Sequence, residues 1–250
     1  MRTCRLTKGA SALTSSFLLL ALLAGCQSVG EQASSTPRLH VKPTQDFEVT
    51  GDGSNVCWDQ AEWVPLVKRG ADGPPTETRI KALYSKTGLY FLMDAADEKL
   101  SATMAEDFLD LWNEDVFEVF LWPDERHPVY FEYEISPLGH ELPILVPNLE
   151  GKFLGWRPWH YEGVRKTRIA TAALGGPKES GASVKGWRAE VFIPYALLEP
   201  LRNVPPGAGT RWRANFYRVD YDGKKGVAWD WARVGPSFHE FKKFGTMIFD

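Results

Sequence analysis

The sequence predicts an all-β fold, an antiparallel β-sandwich, on two observations. Several runs are built from aromatic and β-branched side chains and alternate apolar with polar, which is the period of a strand with one packed face. The segments between them carry the Gly, Pro, Asn and Asp of turns rather than helix caps. The chain has 250 residues, 44% hydrophobic and 24% charged, enough for one substantial core. A sandwich of about 200 residues commonly forms one domain.

Residues 1–26 stand apart. Arg2, Arg5 and Lys8 form a basic start, Phe17–Leu23 an apolar run too short to span a bilayer, and Leu23-Ala24-Gly25-Cys26 a small-residue cleavage site. The segment resembles the signal peptide of bacterial lipoproteins. That resemblance implies lipidation of Cys26 and a lipid-anchored protein of the bacterial cell envelope, and Gln27 after the cysteine favours the outer membrane. Loss of the segment removes three basic residues and no acids, so the formal net charge of −3 becomes −6. Nothing in that balance attracts nucleic acid, and contact with a membrane is expected through the lipid alone. Cys57 is then left without a disulfide partner and reads as a small buried hydrophobe. Residues 27–44, rich in Ser, Gln, Glu, Pro and Thr, read as a flexible tether, which leaves 45–250 as the domain.

Phe47–Thr50 leads into the turn residues 51–55, GDGSN, as a strand would. Thr78–Tyr84 and Leu89–Asp94 flank Lys86-Thr87-Gly88 as a hairpin, with glycine supplying the positive φ of a tight turn. In Asp115–Trp122 every residue after the first is aromatic, β-branched or leucine except Glu118, the odd carboxylate in a strand. After the turn Pro123–Pro128, Tyr130–Ile135 alternates: Phe131, Tyr133 and Ile135 form a packing face, Glu132 and Glu134 an acidic one. Leu142–Val146, bracketed by Pro143 and Pro147, fits only an edge strand or extended loop. Trp156, Trp159 and Tyr161 lie among Gly and Pro in a loop that covers the edge or lines a site. Val164–Ala172 and Gly186–Ile193 form another hairpin, with Trp187, Ala189, Val191 and Ile193 on one face. Tyr195–Leu201 follows as a short helical turn. Arg211–Val219 sets Trp212, Ala214 and Phe216 against Arg211, Arg213, Asn215 and Tyr217, a polar face able to bind hydroxyl-rich ligands.

Four stretches, GDGSNVCWDQAEW, IKALYSKTGLYFLMDAADEKL, WNEDVFEVFLWPD…YFEYEISPLG and PGAGTRWRANFYRVD…WDWARVGPSFHEFKKFG, resemble in order and spacing the family 9 carbohydrate-binding module. They cover about residues 46–249. The resemblance implies an immunoglobulin-like or jelly-roll-like antiparallel β-sandwich with one short helical turn, and a core that includes Trp58 and Trp63. It also implies non-catalytic binding of a sugar between two aromatic side chains, in support of carbohydrate catabolism, with a glycoside hydrolase or other envelope protein as partner. Trp112 falls on the first aromatic, Glu118 on a carboxylate that takes sugar hydroxyls, and Phe238, before Phe244-Gly245, on the second aromatic. Phenylalanine there offers less stacking area than tryptophan. Glu134 stands where xylan-binding members carry an arginine, so a xylan preference does not transfer. Trp231, with Trp229, is a further candidate for the aromatic wall, Asn215 for hydrogen bonding on the polar face, and His239 beside Phe238 for a hydroxyl.

Family members can bind calcium, and Asp94, Asp97, Glu98, Glu106, Asp107 and Asp110 supply the right kind of ligand, with Asp97 and Asp107 foremost for a structural ion. No EF-hand loop is present, and a solvated acidic surface predicts the same composition. Three other readings compete. Glu118 with Glu132 or Glu134 suggests glycoside hydrolysis, although Glu132 and Glu134 side by side cannot flank a bond. Related sandwiches carry b-type haem between Met and His or Lys, for which Met93, Met104, Met247, His127, His140, His160 and His239 are available without any C-x-x-C-H motif. A protein-binding scaffold is the third.

Overall fold

A computed structural model describes residues 36–70, 78–149, 152–155, 157–158, 162–223 and 225–250. The expected signal segment with Cys26, the part of the expected tether up to residue 35, and Trp156, Trp159, His160 and Tyr161 lie outside the described residues. Among the described residues there are fifteen strands and one α-helical turn, α1 (Tyr195–Leu198).

One sheet runs in the order β8 (Glu141–Leu149), β7 (Val129–Ile135), β6 (Val116–Trp122), β13 (Arg211–Asp220), β15 (Gly245–Phe249). Two-residue strands β9 (Lys152–Phe153) and β10 (Arg157–Pro158) lie against β8, so the Pro-bracketed strand is nearly an edge, as expected. β14 (Val227–Asp230) pairs with β13, and β3 (Val67–Lys68) with β14. The second sheet is β4 (Thr78–Tyr84), β5 (Gly88–Ala95), β12 (Gly186–Pro194), β11 (Arg168–Leu174), with β2 (Val64–Pro65) on β4. β1 (Arg38–Pro43) crosses between them. Its residues 38–41 pair with β15 and 42–43 with β4, both in parallel. The sandwich is therefore antiparallel except at β1, and residues 38–43, expected to belong to the tether, form a strand of it.

The alternation in the sequence places the core. Phe117, Val119 and Leu121 of β6, Phe131, Tyr133 and Ile135 of β7, and Trp212, Ala214 and Phe216 of β13 face Phe91 and Met93 of β5 and Trp187, Ala189 and Val191 of β12. Phe117 meets Trp187 at 4.1 Å between ring centroids, and Phe91 meets Phe216 at 5.8 Å. Each such side chain contributes roughly 1.5–3 kcal/mol on full burial.

The outer faces are covered as well. Residues 44–63 lie over the second sheet, where Phe47 and Trp58 pack with Tyr90, Leu92 and Phe192. Phe47–Thr50 is irregular rather than a strand, because side chains take its amides: Phe47 N–H donates to the Tyr90 hydroxyl (3.1 Å) and Thr50 N–H to Glu190 (2.7 Å). Trp58 is core, but Trp63 is half-buried under the Arg79 guanidinium, 4.3 Å from its ring. Cys57 is free and half-buried. In the β4–β5 hairpin Gly88 does not take a positive φ. It is needed for close approach, since a Cβ there would lie 2.4 Å from the Ile193 carbonyl oxygen.

Candidate functional site

The outer face of the first sheet carries the chemistry. β6 pairs with β7 on one side and β13 on the other, so Glu134, Glu118 and Tyr217 fall in one row across three strands, extended by Asp230 on β14. Glu132, Phe120 and Asn215 form the next row. The sequence predicts this face as acidic. It is also buried: Glu118 is 2% exposed, Glu132 4% and Glu134 0%.

Two loops cover it. The first carries Trp112 in a single 3₁₀ turn, Leu111–Asn113. Asp115 secures that loop by accepting from the amides of Ser101 (2.6 Å) and Tyr221 (2.8 Å), and the Tyr221 hydroxyl donates to the Trp112 carbonyl (3.0 Å). The second loop carries Phe238, whose ring stacks on Tyr217 at 4.1 Å and 5°. The Tyr217 hydroxyl donates to the Phe238 carbonyl (2.9 Å). Trp112 and Phe238 are both half-buried, one reaching the row at Glu134 through its backbone amide, the other over Tyr217. The row of carboxylates lies between them.

Asn215 does not reach a ligand. Its amide donates to the Tyr217 hydroxyl (2.7 Å) and the Ala232 carbonyl (2.9 Å), and its oxygen accepts from the amides of Phe216 (3.0 Å) and Ala232 (2.8 Å). It fixes Tyr217 and the second loop and has nothing left to offer. Trp231 is corrected too: it lies in the sandwich core, tilted on Phe216 at 5.1 Å. Gly245 makes room for it, since a Cβ there would come within 2.2 Å of the indole. Trp229 is likewise buried, beneath Arg218 at 4.6 Å and Lys68 at 5.2 Å.

Arg69 is the residue that sequence reasoning missed. β7 lacks an arginine, yet a guanidinium arrives from the end of β3. It lies 4.4 Å from the Phe238 ring centroid and 3.3 Å from Asp230, and donates to the Gly235 carbonyl (3.0 Å). No local pattern marks it, because it is a lone arginine in a short loop. His239 shares a hydrogen bond with the Tyr130 hydroxyl (2.7 Å), lies 3.6 Å from Glu132 and stacks on Phe153 at 4.2 Å. Burial pushes its pKa down to about 4, so the ring is neutral at pH 7.

Burial raises the Glu118 pKa to about 8 while Arg69 pulls it back. Glu132 and Glu134 are raised well above the usual carboxylate range, by burial first and then by the neighbouring carboxylates. Among the described residues, both oxygens of Glu134, Oε2 of Glu132 and Nε of Arg69 are buried without a hydrogen-bond partner. Unsatisfied donors and acceptors beside half-exposed aromatic rings suit a ligand with hydroxyl groups and an apolar face.

The expected calcium ligands do not assemble together. Asp107 accepts from the Glu141 amide (3.0 Å), and Asp94 pairs with Arg79 and Arg188 on the second sheet. Asp97 converges with Asp220 and Asp222, which lie far along the chain, with ligand atoms within 4.8 Å of one another. They border a cavity of about 340 Å³ that also meets Lys68 and Trp229. Arg218 already occupies this cluster, 3.0 Å from Asp97 and 2.8 Å from Asp220, so the positive charge a calcium ion would bring is largely in place. Met93 and Met247, offered for haem ligation, fill the sandwich core.

The chain is thus a two-sheet β-sandwich with a buried polar row between two loops that carry half-buried aromatic side chains. Residues 49–138 match the family described as carbohydrate family 9 binding domain-like, in agreement with the resemblance read from the sequence. The fold is also that of a candidate carbohydrate-binding protein from Bacteroides uniformis, with a TM-score of 0.70 at 18% identity, over 86% of this chain and 100% of that one. A family 9 carbohydrate-binding module from Caldicellulosiruptor kristjanssonii, in complex with cellotriose, gives 0.59 at 14% identity over 86% and 94%. The same organism's module with glucose gives 0.58 at 14% over 86% and 96%. A curated relative described as an extracellular protein of Arthroderma benhamiae is 29% identical over 150 residues, 58% of this chain. The chain spans 64% of that relative's length.

Proposed function

We propose that this chain is a non-catalytic carbohydrate-binding lipoprotein of the bacterial envelope. It holds a sugar ring between Trp112 and Phe238 over a floor of Glu118, Glu134 and Arg69. The observation that carries the reading is the juxtaposition of buried, unpartnered hydrogen-bonding atoms on Glu134 and Arg69 with two half-buried aromatic rings. Apolar C–H faces of a sugar stack on the rings, and its hydroxyls donate to carboxylates and accept from the guanidinium. Support for polysaccharide capture beside a separate glycoside hydrolase follows from this role. Catalysis by the chain itself is disfavoured by geometry. Glu118 and Glu134 are direct cross-strand neighbours on one floor, so both approach a ligand from the same side, whereas glycoside hydrolysis needs carboxyl groups flanking the bond. A structural calcium ion would have Asp97, Asp220 and Asp222 to hold it, beside the Arg218 guanidinium that already pairs with two of them.

Calorimetry and tryptophan fluorescence against a panel of mono- and oligosaccharides test the proposal. Trp112→Ala is expected to remain folded and to weaken binding at least tenfold, since a lost aromatic stack is worth about 1.5 kcal/mol or more. Undiminished binding by a folded Trp112→Ala protein would place the sugar elsewhere.

A further inference from the structure

Three other buried carboxylates among the described residues are well supplied with donors. Glu190 receives the Trp58 indole N–H (2.5 Å), the amides of Thr50 (2.7 Å) and Gly51 (2.5 Å) and the Thr50 hydroxyl (2.9 Å). Asp115 takes two amides, and Glu141 takes the hydroxyls of Tyr133 and Thr167. Glu134 is as deeply buried as Glu190 and far less well supplied: the Trp112 backbone amide and the Glu132 carboxyl lie beside it, and neither of its oxygens makes a hydrogen bond of ordinary geometry among the described residues. Glu132 has one such oxygen, 3.6 Å from the neutral ring of His239 and in the company of the Glu134 and Glu118 carboxyls. Glu118 has Arg69, but Asp230 shares that guanidinium. The face thus gathers three glutamates around one cation that is already divided.

A neutral hydroxyl group answers this imperfectly, because each hydroxyl supplies one donor and no charge. An ammonium group supplies three donors, no acceptor and a positive charge. Resting on the sugar-binding reading above, we propose that the ligand of this site is an amino sugar with a free amine, its ammonium group seated against Glu134 and Glu132 and its ring between Trp112 and Phe238. An N-acetylated sugar would lose both the charge and two of the donors. Without ligand, protons occupy the place of the ammonium, since burial and mutual repulsion hold these carboxyls protonated. Binding therefore exchanges a proton on the protein for the cation.

The test is calorimetry on the full chain at pH 6 with three β-1,4-linked trimers: glucosamine with free amines, its N-acetylated counterpart, and cellotriose. Buffers of different ionisation enthalpy report proton release, and wild type is compared with Glu134→Gln. The free-amine trimer is expected to bind about tenfold more tightly than either neutral trimer, the margin of a charge-assisted over a neutral hydrogen bond. It alone should release about one proton per site by the exchange argued from coupled carboxyls. In Glu134→Gln the preference should fall towards parity. Equal or tighter binding of cellotriose overturns the amino-sugar assignment and leaves sugar binding intact. A preference unchanged in a folded Glu134→Gln protein overturns it also, since general attraction to an acidic surface would then suffice. Binding of none of the three overturns the sugar-binding reading itself. The wild-type comparison stands even where the variant fails to fold.

Discussion

Glu118 is the only carboxylate in a strand otherwise made of aromatic, β-branched and leucine side chains, and its burial ties the candidate site to stability. Its folded pKa of about 8 lies above the usual 4.5, so the folded state holds a proton that the unfolded chain releases. The associated stability is complete below pH 4.5 and is lost as pH rises through 8. Asp115, raised to about 7, acts in the same direction. His239, lowered from 6.5 to about 4, acts oppositely, its stability being lost as pH falls between those values. Between pH 6.5 and 8 only the carboxyls operate, and thermal melts there should show Tm falling as pH rises. Glu118→Gln should flatten that decline and melt higher than wild type at pH 8; a wild-type Tm that climbs over this interval would remove the basis for a protonated floor. Arg69 is the complementary case. Arg69→Ala strips Asp230 of its counter-charge and Phe238 of its cation partner, an expected loss of about 3 kcal/mol in urea unfolding at pH 7. A loss under about 1 kcal/mol would mean that water compensates these groups.

Strands were legible in the sequence where alternation was sustained. β6, β7, β12 and β13 have the faces that their side chains specify. The errors lie at the N-terminal side of the domain. β1 offers only Leu39 and Val41 as buried apolar residues between Pro37 and Pro43, too few to distinguish a strand from a polar tether. Phe47–Thr50 looks like a strand and is not one, since the Tyr90 hydroxyl and the Glu190 carboxylate replace a neighbouring strand. β1 joins the two sheets, so a protein starting at residue 45 should be less stable than one starting at residue 36 by about 4 kcal/mol, the burial of Leu39 and Val41. Equal melting of the two proteins would show that the sheets close without β1.

For the whole molecule, the basic start, short apolar run and Cys26 bear on where the domain is held. Cys26→Ser should abolish incorporation of labelled palmitate and move the protein from the membrane to the soluble fraction of an expressing bacterium. Retention in the membrane fraction by the unlipidated variant would point to another means of attachment. The acidic net charge expected once residues 1–26 are removed gives no attraction to anionic headgroups.

The sequence by itself determined the all-β class and the packed faces of the principal strands, because the two-residue period of a strand states directly which side chains share a face; Trp112, Glu118 and Phe238 became candidates through the family resemblance, and Glu134 through the acidic face of its strand. Tertiary structure alone decided that the acidic face is buried, that Asn215 braces a loop, that Trp231 belongs to the core, and that Arg69 supplies the guanidinium. Those outcomes depend on strand register and on loops brought together from positions near 69, 112 and 238. Periodicity along one strand carries no information about what covers it.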